Sequence, residues 1–268
     1  MTVFQILCTG LVVLLAAPMF ALGDPVPPDA GKAEAPPFTV TETEIRLPGI
    51  TIERKTLEVR IDATVCLDAG ILEFVVCKPN TFEHESIFTT EAKPELVHAA
   101  LLLAGMKPTP LLPGMEALWW GKALRNEDSR VRIEVEWEEA GEKKRESLTS
   151  MLRSREGGEA VPGEEKAAKD GWVFAGSFMQ AAQDGGERIY AGNISGILVG
   201  IWPDPSTVIQ YGITSGNPYE GDHKGLEINE KCVPKVGTKV KLVFSRHFPR
   251  EAKEPAEKGG RGESGVEQ

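Results

Sequence analysis

Alternation of apolar and polar positions is the strongest signal along this chain. Over residues 56–66, Leu57, Val59, Ile61, Ala63 and Val65 alternate with Glu58, Arg60, Asp62 and Thr64, which predicts a strand with one face buried. Val131, Ile133, Val135 and Trp137 repeat the pattern, with Arg132, Glu134 and Glu136 between them. Residues 71–77 are apolar almost throughout and read as a central strand, joined to the first by a tight hairpin turn at Asp68-Ala69-Gly70. Further strands are predicted over residues 172–179, 189–191, 197–202 and 239–244, punctuated by Asp-Gly-Gly, Pro-Asp-Pro and Pro-x-x-Gly breakers.

One helix stands out. Pro94 suits its first position, Glu95 suits the positive end of the helix dipole, and Gly105 stops it. The residues between are apolar nearly all round, which predicts deep packing against a sheet. Shorter helical turns are expected near residues 114–120, 147–153 and 205–210, and no internal repeat is present. The expected fold is α+β: a mostly antiparallel sheet packed by one main buried helix at about 94–104, with short additional helices.

The first 23 residues hold no Asp, Glu, Lys or Arg, and an apolar run over residues 3–15 leads to Ala21-Leu22-Gly23. That pattern predicts a signal peptide cleaved before Asp24, with a run too short to span a bilayer. A Pro/Ala-rich linker follows over residues 24–37. A single domain is expected over 38–248, with loop insertions at 106–129 and 155–170, and residues 249–268 read as a disordered tail. No later segment is apolar enough for a membrane span, so the expected product is exported, periplasmic or extracellular.

Apolar residues at 41% and charged residues at 26% of 268 fit a globular protein, and exclude collagen, a coiled-coil rod and a polytopic membrane protein. The net charge of -10 argues against nucleic acid as a partner, because phosphate neutralisation needs a basic face. Three cysteines remain after the signal: Cys66, Cys77 and Cys232. Across a tight turn Cys66 and Cys77 lie too far apart to bond directly. The simplest reading makes all three small buried hydrophobes, and a bridge from Cys232 to either of the others stays open.

Residues 77–86 gather a thiol (Cys77), an imidazole (His84), a hydroxyl (Ser86) and the carboxylates of Glu83 and Glu85. A cysteine nucleophile needs an imidazole within hydrogen-bond reach, and Cys77 and His84 can meet across the Pro-Asn turn. His84, Glu85 and Ser86 are sequence neighbours and cannot form a triad among themselves; in an extended segment His84 and Ser86 would share a face with Phe82 and Phe88. A metal site would combine His84 with His98, Glu85 or Cys77, yet Phe88 breaks any H-E-x-x-H and no C-x-x-C occurs, so a metal ion has no motif behind it. The Gly-rich region over residues 190–203 carries neither a dinucleotide fingerprint nor a P-loop, and neither a G-x-S-x-G elbow nor an S-x-x-K pair occurs in the chain. Within the long connection over residues 107–129, Trp119 and Trp120 either wall a binding site or belong to a short helix that packs Met115, Leu118 and Trp119 on the core. Asn193-Ile194-Ser195 is a formal glycosylation sequon in a strand-like setting.

Residues 76–105, VCKPNTFEHESIFTTEAKPELVHAALLLAG, resemble the YdjY-domain family of exported bacterial proteins. Trp172-Val173-Phe174-Ala175-Gly176-Ser177, Tyr190-Ala191-Gly192 with Gly196, and Pro234-Lys235-Val236-Gly237-Thr238 extend the resemblance over about residues 44–246. The resemblance implies no established activity. Some relatives carry a ferredoxin-type label, but three cysteines without C-x₂-C spacing cannot supply four thiolates, so no iron–sulfur cluster is expected. No other cofactor is expected, a metal ion staying open without a motif to support it. The chain therefore reads as a non-catalytic exported domain that binds a ligand or an envelope protein, with Cys77, His84, Glu85, Ser86, His98, Trp119 and Trp120 as candidate binding residues. The alternative is a metal- or thiol-dependent enzyme or redox protein using Cys77 and His84.

Overall fold

A computed structural model describes residues 39–155, 170–181, 186–213 and 224–248. The expected signal peptide, the whole linker, most of the 155–170 insertion and the tail lie outside them. The chain opens with β1 (Thr39–Val40), β2 (Glu44–Leu47), β3 (Ile50–Glu53) and β4 (Val59–Val65). Next come β5 (Ile71–Leu72), β6 (Phe74–Cys77), β7 (Phe88–Thr89), helix α1 (Pro94–Leu103) and helix α2 (Glu116–Ala123). The middle supplies β8 (Val131–Glu139), β9 (Glu142–Ser147), β10 (Leu152–Ser154) and β11 (Trp172–Phe174). The remainder is β12 (Met179–Gln180), β13 (Ile189–Tyr190), the short helix α3 (Ala191–Ser195), β14 (Ile197–Gly200), β15 (Ile209–Tyr211), β16 (Leu226–Ile228) and β17 (Lys239–Arg246).

The alternating segments bury the face that their periodicity assigns. Val59, Ile61, Ala63 and Val65 of β4 and Val131, Ile133 and Val135 of β8 are buried. Strand β17 lies between these two, antiparallel to both, and sets Leu242 beside Ile61 and Val135. On the other side of β4 the order continues through β7, β6, β14, β15 and β11. An antiparallel bridge between Arg130 and Val173 then joins β11 to the start of β8. The path β4-β7-β6-β14-β15-β11-β8-β17 thus closes on itself as an eight-stranded, barrel-like ring, which leaves its members few free edges. Strands β1 to β3 extend from β4 as a meander, and β9 extends from β8.

The α+β expectation is overturned: the fold is mostly β, a twelve-stranded sheet with two smaller ones. Helices α1, α2 and α3 have ten, eight and five residues. α1 starts at Pro94 and gives way to Gly105 at φ +80°, but it does not form a packing layer. It buries Pro94, Val97, Ala100 and Leu101, while Leu102 and Leu103 remain 46% and 53% exposed. The strands that periodicity misses are short or polar. β9 reads Glu-Lys-Lys-Arg-Glu-Ser and holds its place through backbone pairing to β8 and cross-strand ion pairs, not through apolar burial. The two-residue turn between β8 and β9, Ala140-Gly141 with both φ positive, matches the geometry that tight hairpins favour.

The expected hairpin between the first two long strands does not form either. Strand β7 inserts between β4 and β6, with Val65 opposite Phe88 and Phe88 opposite Val76. The chain after the Asp68-Ala69-Gly70 turn enters β5 instead, which pairs with β16. Cys66 and Cys77 are therefore kept apart by a whole strand, and Cys66, Cys77 and Cys232 are free thiols.

Strand β11 separates two packing regions. Trp172 and Phe174 enter the main core with Tyr211, Phe88 and Phe244, whereas Val173 and Ala175 pack with Leu111, Trp119 and Ala123 in a second small cluster. The outer face of β4, β17, β8 and β9 stays polar, with Asp62, Lys241, Glu136 and Arg145 in one cross-strand row.

Candidate functional site

Cys77 ends β6, fully buried and paired with Thr89 and Ile197 on its two sides. The chain then turns out of the sheet. The Lys78 N–H donates to the Gly196 carbonyl at 2.7 Å and the Thr81 hydroxyl to the Lys78 carbonyl at 2.6 Å. Asn80 adopts φ +64°, and its N–H donates to the Glu83 carboxylate. Residues Glu83–Glu85 then form a single 3-10 turn, and Phe82 leans on Phe74 with ring centroids 4.9 Å apart. This turn replaces the expected extended segment, so His84 and Ser86 do not share a face.

The His84 side chain is 72% exposed, with Nε2 3.7 Å from Glu85 Oε1. Glu85 in turn hydrogen-bonds the carboxyl of Glu73. Burial, and then the neighbouring Glu85, push the Glu73 carboxyl above its ordinary range, so it keeps its proton to a higher pH. The three side chains form a compact polar surface of one imidazole and two coupled carboxyls. Ser86 lies beneath it, buried, with its hydroxyl lacking a hydrogen-bond partner among the described residues. The Cys66 thiol donates to the Ser86 carbonyl at 3.2 Å. Burial, with Cys77 and Glu83 nearby, pushes that thiol up to about 12, so it is neutral and a poor nucleophile. No hydrogen bond joins Cys77 to His84 among the described residues: one is sealed in the sheet, the other stands in solvent.

His98 lies elsewhere. From α1 its Nδ1 sits 2.7 Å from the Gly176 carbonyl and 2.8 Å from the Tyr190 hydroxyl, and that hydroxyl donates to the same carbonyl at 3.0 Å. The imidazole also meets Phe174 and Tyr190 edge to face, at 5.0 and 5.6 Å. Burial lowers its pKa, with the Gly176 carbonyl acting in the opposite sense. Gly176 has φ +85°, and a Cβ there would fall 2.7 Å from Pro108 Cβ, so only glycine fits. Ser177 follows at φ +51° and accepts the Gly192 N–H at 3.1 Å. Asn193 of the formal sequon accepts the Glu95 N–H at 3.2 Å, satisfying one of the orphan donors that open α1. This is a structural junction that ties α1 to the 174–177 turn and to α3.

Trp119 is 5% exposed in the second cluster, and its Nε1 donates to the Thr109 carbonyl at 2.8 Å. Met115 and Leu118, expected to pack with it, are exposed. The side chain of Trp120 lies outside the described residues. His98 and Trp119 meet opposite faces of β11, through Phe174 and through Val173 with Ala175. The candidate residues therefore do not converge on one cavity. His84 and Glu85 form an open surface, Cys77 and Ser86 lie sealed below it, and His98 and Trp119 anchor two separate packing regions. Among the described residues no group of three or more His, Cys, Asp or Glu is arranged to hold a metal ion.

Glu73 and Tyr190 were invisible to motif reasoning. Glu73 did leave a signal, as the one charge inside an otherwise apolar run over residues 71–77. Tyr190 entered only as part of the Tyr190-Ala191-Gly192 stretch of the resemblance, with no role attached, because its partners come from segments 92 and 14 residues away.

Residues 50–245 match the family model of the YdjY domain. No curated protein and no solved structure matches the chain. No helix among the described residues is long and apolar enough to cross a membrane. The segments that meet around His98 and Gly176, and the turn that carries His84, all fall inside the matched region. The chain belongs to the YdjY domain family.

Proposed function

We propose that this member of the YdjY domain family is an exported, non-catalytic domain, periplasmic or extracellular, which binds a ligand or protein partner through the surface around His84. The observation that carries the reading is the exposure of His84 on a turn braced from below, with Glu73 and Glu85 coupled beside it. A short loop held by Lys78, Thr81 and Phe82 loses little entropy when it is bound, which favours recognition. Its chemistry, an imidazole flanked by two carboxyls, suits a cationic or donor-rich group. Support for export comes from the uncharged first 23 residues and their small-residue cleavage site.

A non-catalytic role is favoured because the groups able to do chemistry are occupied or sealed. Cys77 is buried, the Cys66 thiol is held neutral, and His98 is engaged by Gly176 and Tyr190. The test uses the full chain in its producing cell. Fractionation should recover it outside the cytoplasm with Asp24 at its N-terminus, and reversible cross-linking should retain partners that Glu85→Gln loses. A chain that stays cytoplasmic, or a Glu85→Gln chain with an unchanged partner profile, overturns the proposal.

A further inference from the structure

A cavity of about 710 Å³ opens on the outer side of β4, β17, β8 and β9. That volume falls within the range of small-molecule sites. None of the His84 surface residues lines it. Among its lining residues six cations face three carboxylates, in a chain whose net charge is -10. Four of these cations are paired: Arg60 and Arg145 with Glu58, Glu134 and Glu136, Lys144 with Glu142, and Lys241 with Asp62, which leaves Lys143 and Lys239 beside Glu138.

Two of the three carboxylates are already engaged. Glu136 is clasped by Arg60 at 2.6 Å and Arg145 at 2.9 Å, and Asp62 is held by Lys241 at 2.6 Å. Two ammonium groups have no carboxylate partner among the described residues: Lys143 on β9, and Lys239 on β17, which donates only to the Thr64 hydroxyl at 2.9 Å. They are separated by β8, a span of about 10 Å at ordinary strand spacing. Trp137 alternates with Glu136 and Glu138 and packs on the core side of β8, so the outer face that carries the lysines is polar. Lysines on an edge strand commonly block unwanted sheet pairing, and that accounts for β9, which pairs with β8 alone. It does not account for Lys241, which is flanked by Asp62 of β4 and Glu136 of β8, while Lys239 pairs with β4 alone.

We propose that this cavity is a binding site for a small organic anion carrying two acidic groups, carboxylate or phosphate, bridged between Lys143 and Lys239 across the outer face of β8. Glu138, which faces Lys143 across the hairpin, is the carboxylate that such a ligand must displace electrostatically. The proposal goes beyond the His84 reading and stands or falls independently of it.

The test is titration of the purified full chain with pyrophosphate and, separately, tricarballylate, followed by calorimetry and by amide shifts. Saturable binding with shifts at Lys143, Glu138 and Lys239 is expected, weakening as salt is raised. Lys143→Gln with Lys239→Gln should weaken it about tenfold or more, while Glu138→Gln should tighten it, each loss or gain of a charge contact changing affinity several-fold. A response to one anion alone assigns the acid as phosphate or carboxylate. Should the double variant fail to fold, Lys143→Gln alone, on an exposed edge strand, carries the comparison. Absence of saturable shifts with both anions, or unchanged affinity in the lysine variants, overturns the proposal.

Discussion

His98 Nδ1 and the Tyr190 hydroxyl lie 2.8 Å apart and both address one carbonyl, that of Gly176. The pair joins α1 to the turn after β11, so it ties together segments almost a hundred residues apart. Tyr190→Phe keeps the ring packing and removes the hydroxyl. It should destabilise the chain by about 1–2 kcal/mol, measured by urea unfolding. The pH dependence follows from burial of His98, which holds its folded pKa below the unfolded 6.5. The unfolded chain therefore takes up the proton first. This contribution to stability is complete above pH 6.5 and is lost as pH falls below it, and His98→Asn should flatten that slope.

Gly176 offers a second test of the same junction. A methyl group there meets Pro108 at 2.7 Å, in a backbone conformation that L-residues rarely adopt. Gly176→Ala should cost about 2 kcal/mol or more, and thermal unfolding reads it directly.

Glu73 and Glu85 make the opposite prediction. Burial and its neighbour raise the Glu73 pKa above 4.5 in the folded chain, so the folded state prefers the protonated acid. That preference stabilises the fold below pH 4.5 and is lost as pH rises through the folded value. Glu73→Gln should therefore raise the melting temperature at pH 7 and give no gain at pH 4.

The thiols are testable by alkylation. Cys77 is fully buried and the Cys66 thiol is held near 12, so neither should react with iodoacetamide at pH 8 while the chain is folded. Mass spectrometry after brief exposure should find both unmodified, with full labelling in denaturant. Rapid labelling of Cys77 in the folded chain would restore the thiol chemistry considered from the sequence.

Long strands and the start and stop of α1 were legible in the sequence because their burial is periodic or their ends carry Pro and Gly. Strand β9 was not legible, because Glu142, Lys143, Lys144 and Arg145 are held by cross-strand charge and backbone pairing, which leave no apolar rhythm. Strand β7, two residues long, cannot announce itself, yet it inserts between β4 and β6 and removes the hairpin expected between them. The apolar run in α1 overstated burial, since a helix that caps one side of a sheet leaves Leu102 and Leu103 in solvent. For the candidate site, local sequence located the 77–86 turn and its His84-Glu85 pair. Glu73, Tyr190 and Gly176 meet their partners only through the fold.

The central claim is that the His84 surface binds a partner while His98 serves the fold. A photo-activated cross-linking residue placed at position 84 of the exported full chain, and in parallel at the exposed position Lys107, tests it most directly. The account predicts a discrete adduct from position 84 that Glu85→Gln diminishes, and none from position 107. Equal adducts from both positions, or none from position 84 in a correctly exported chain, would contradict it.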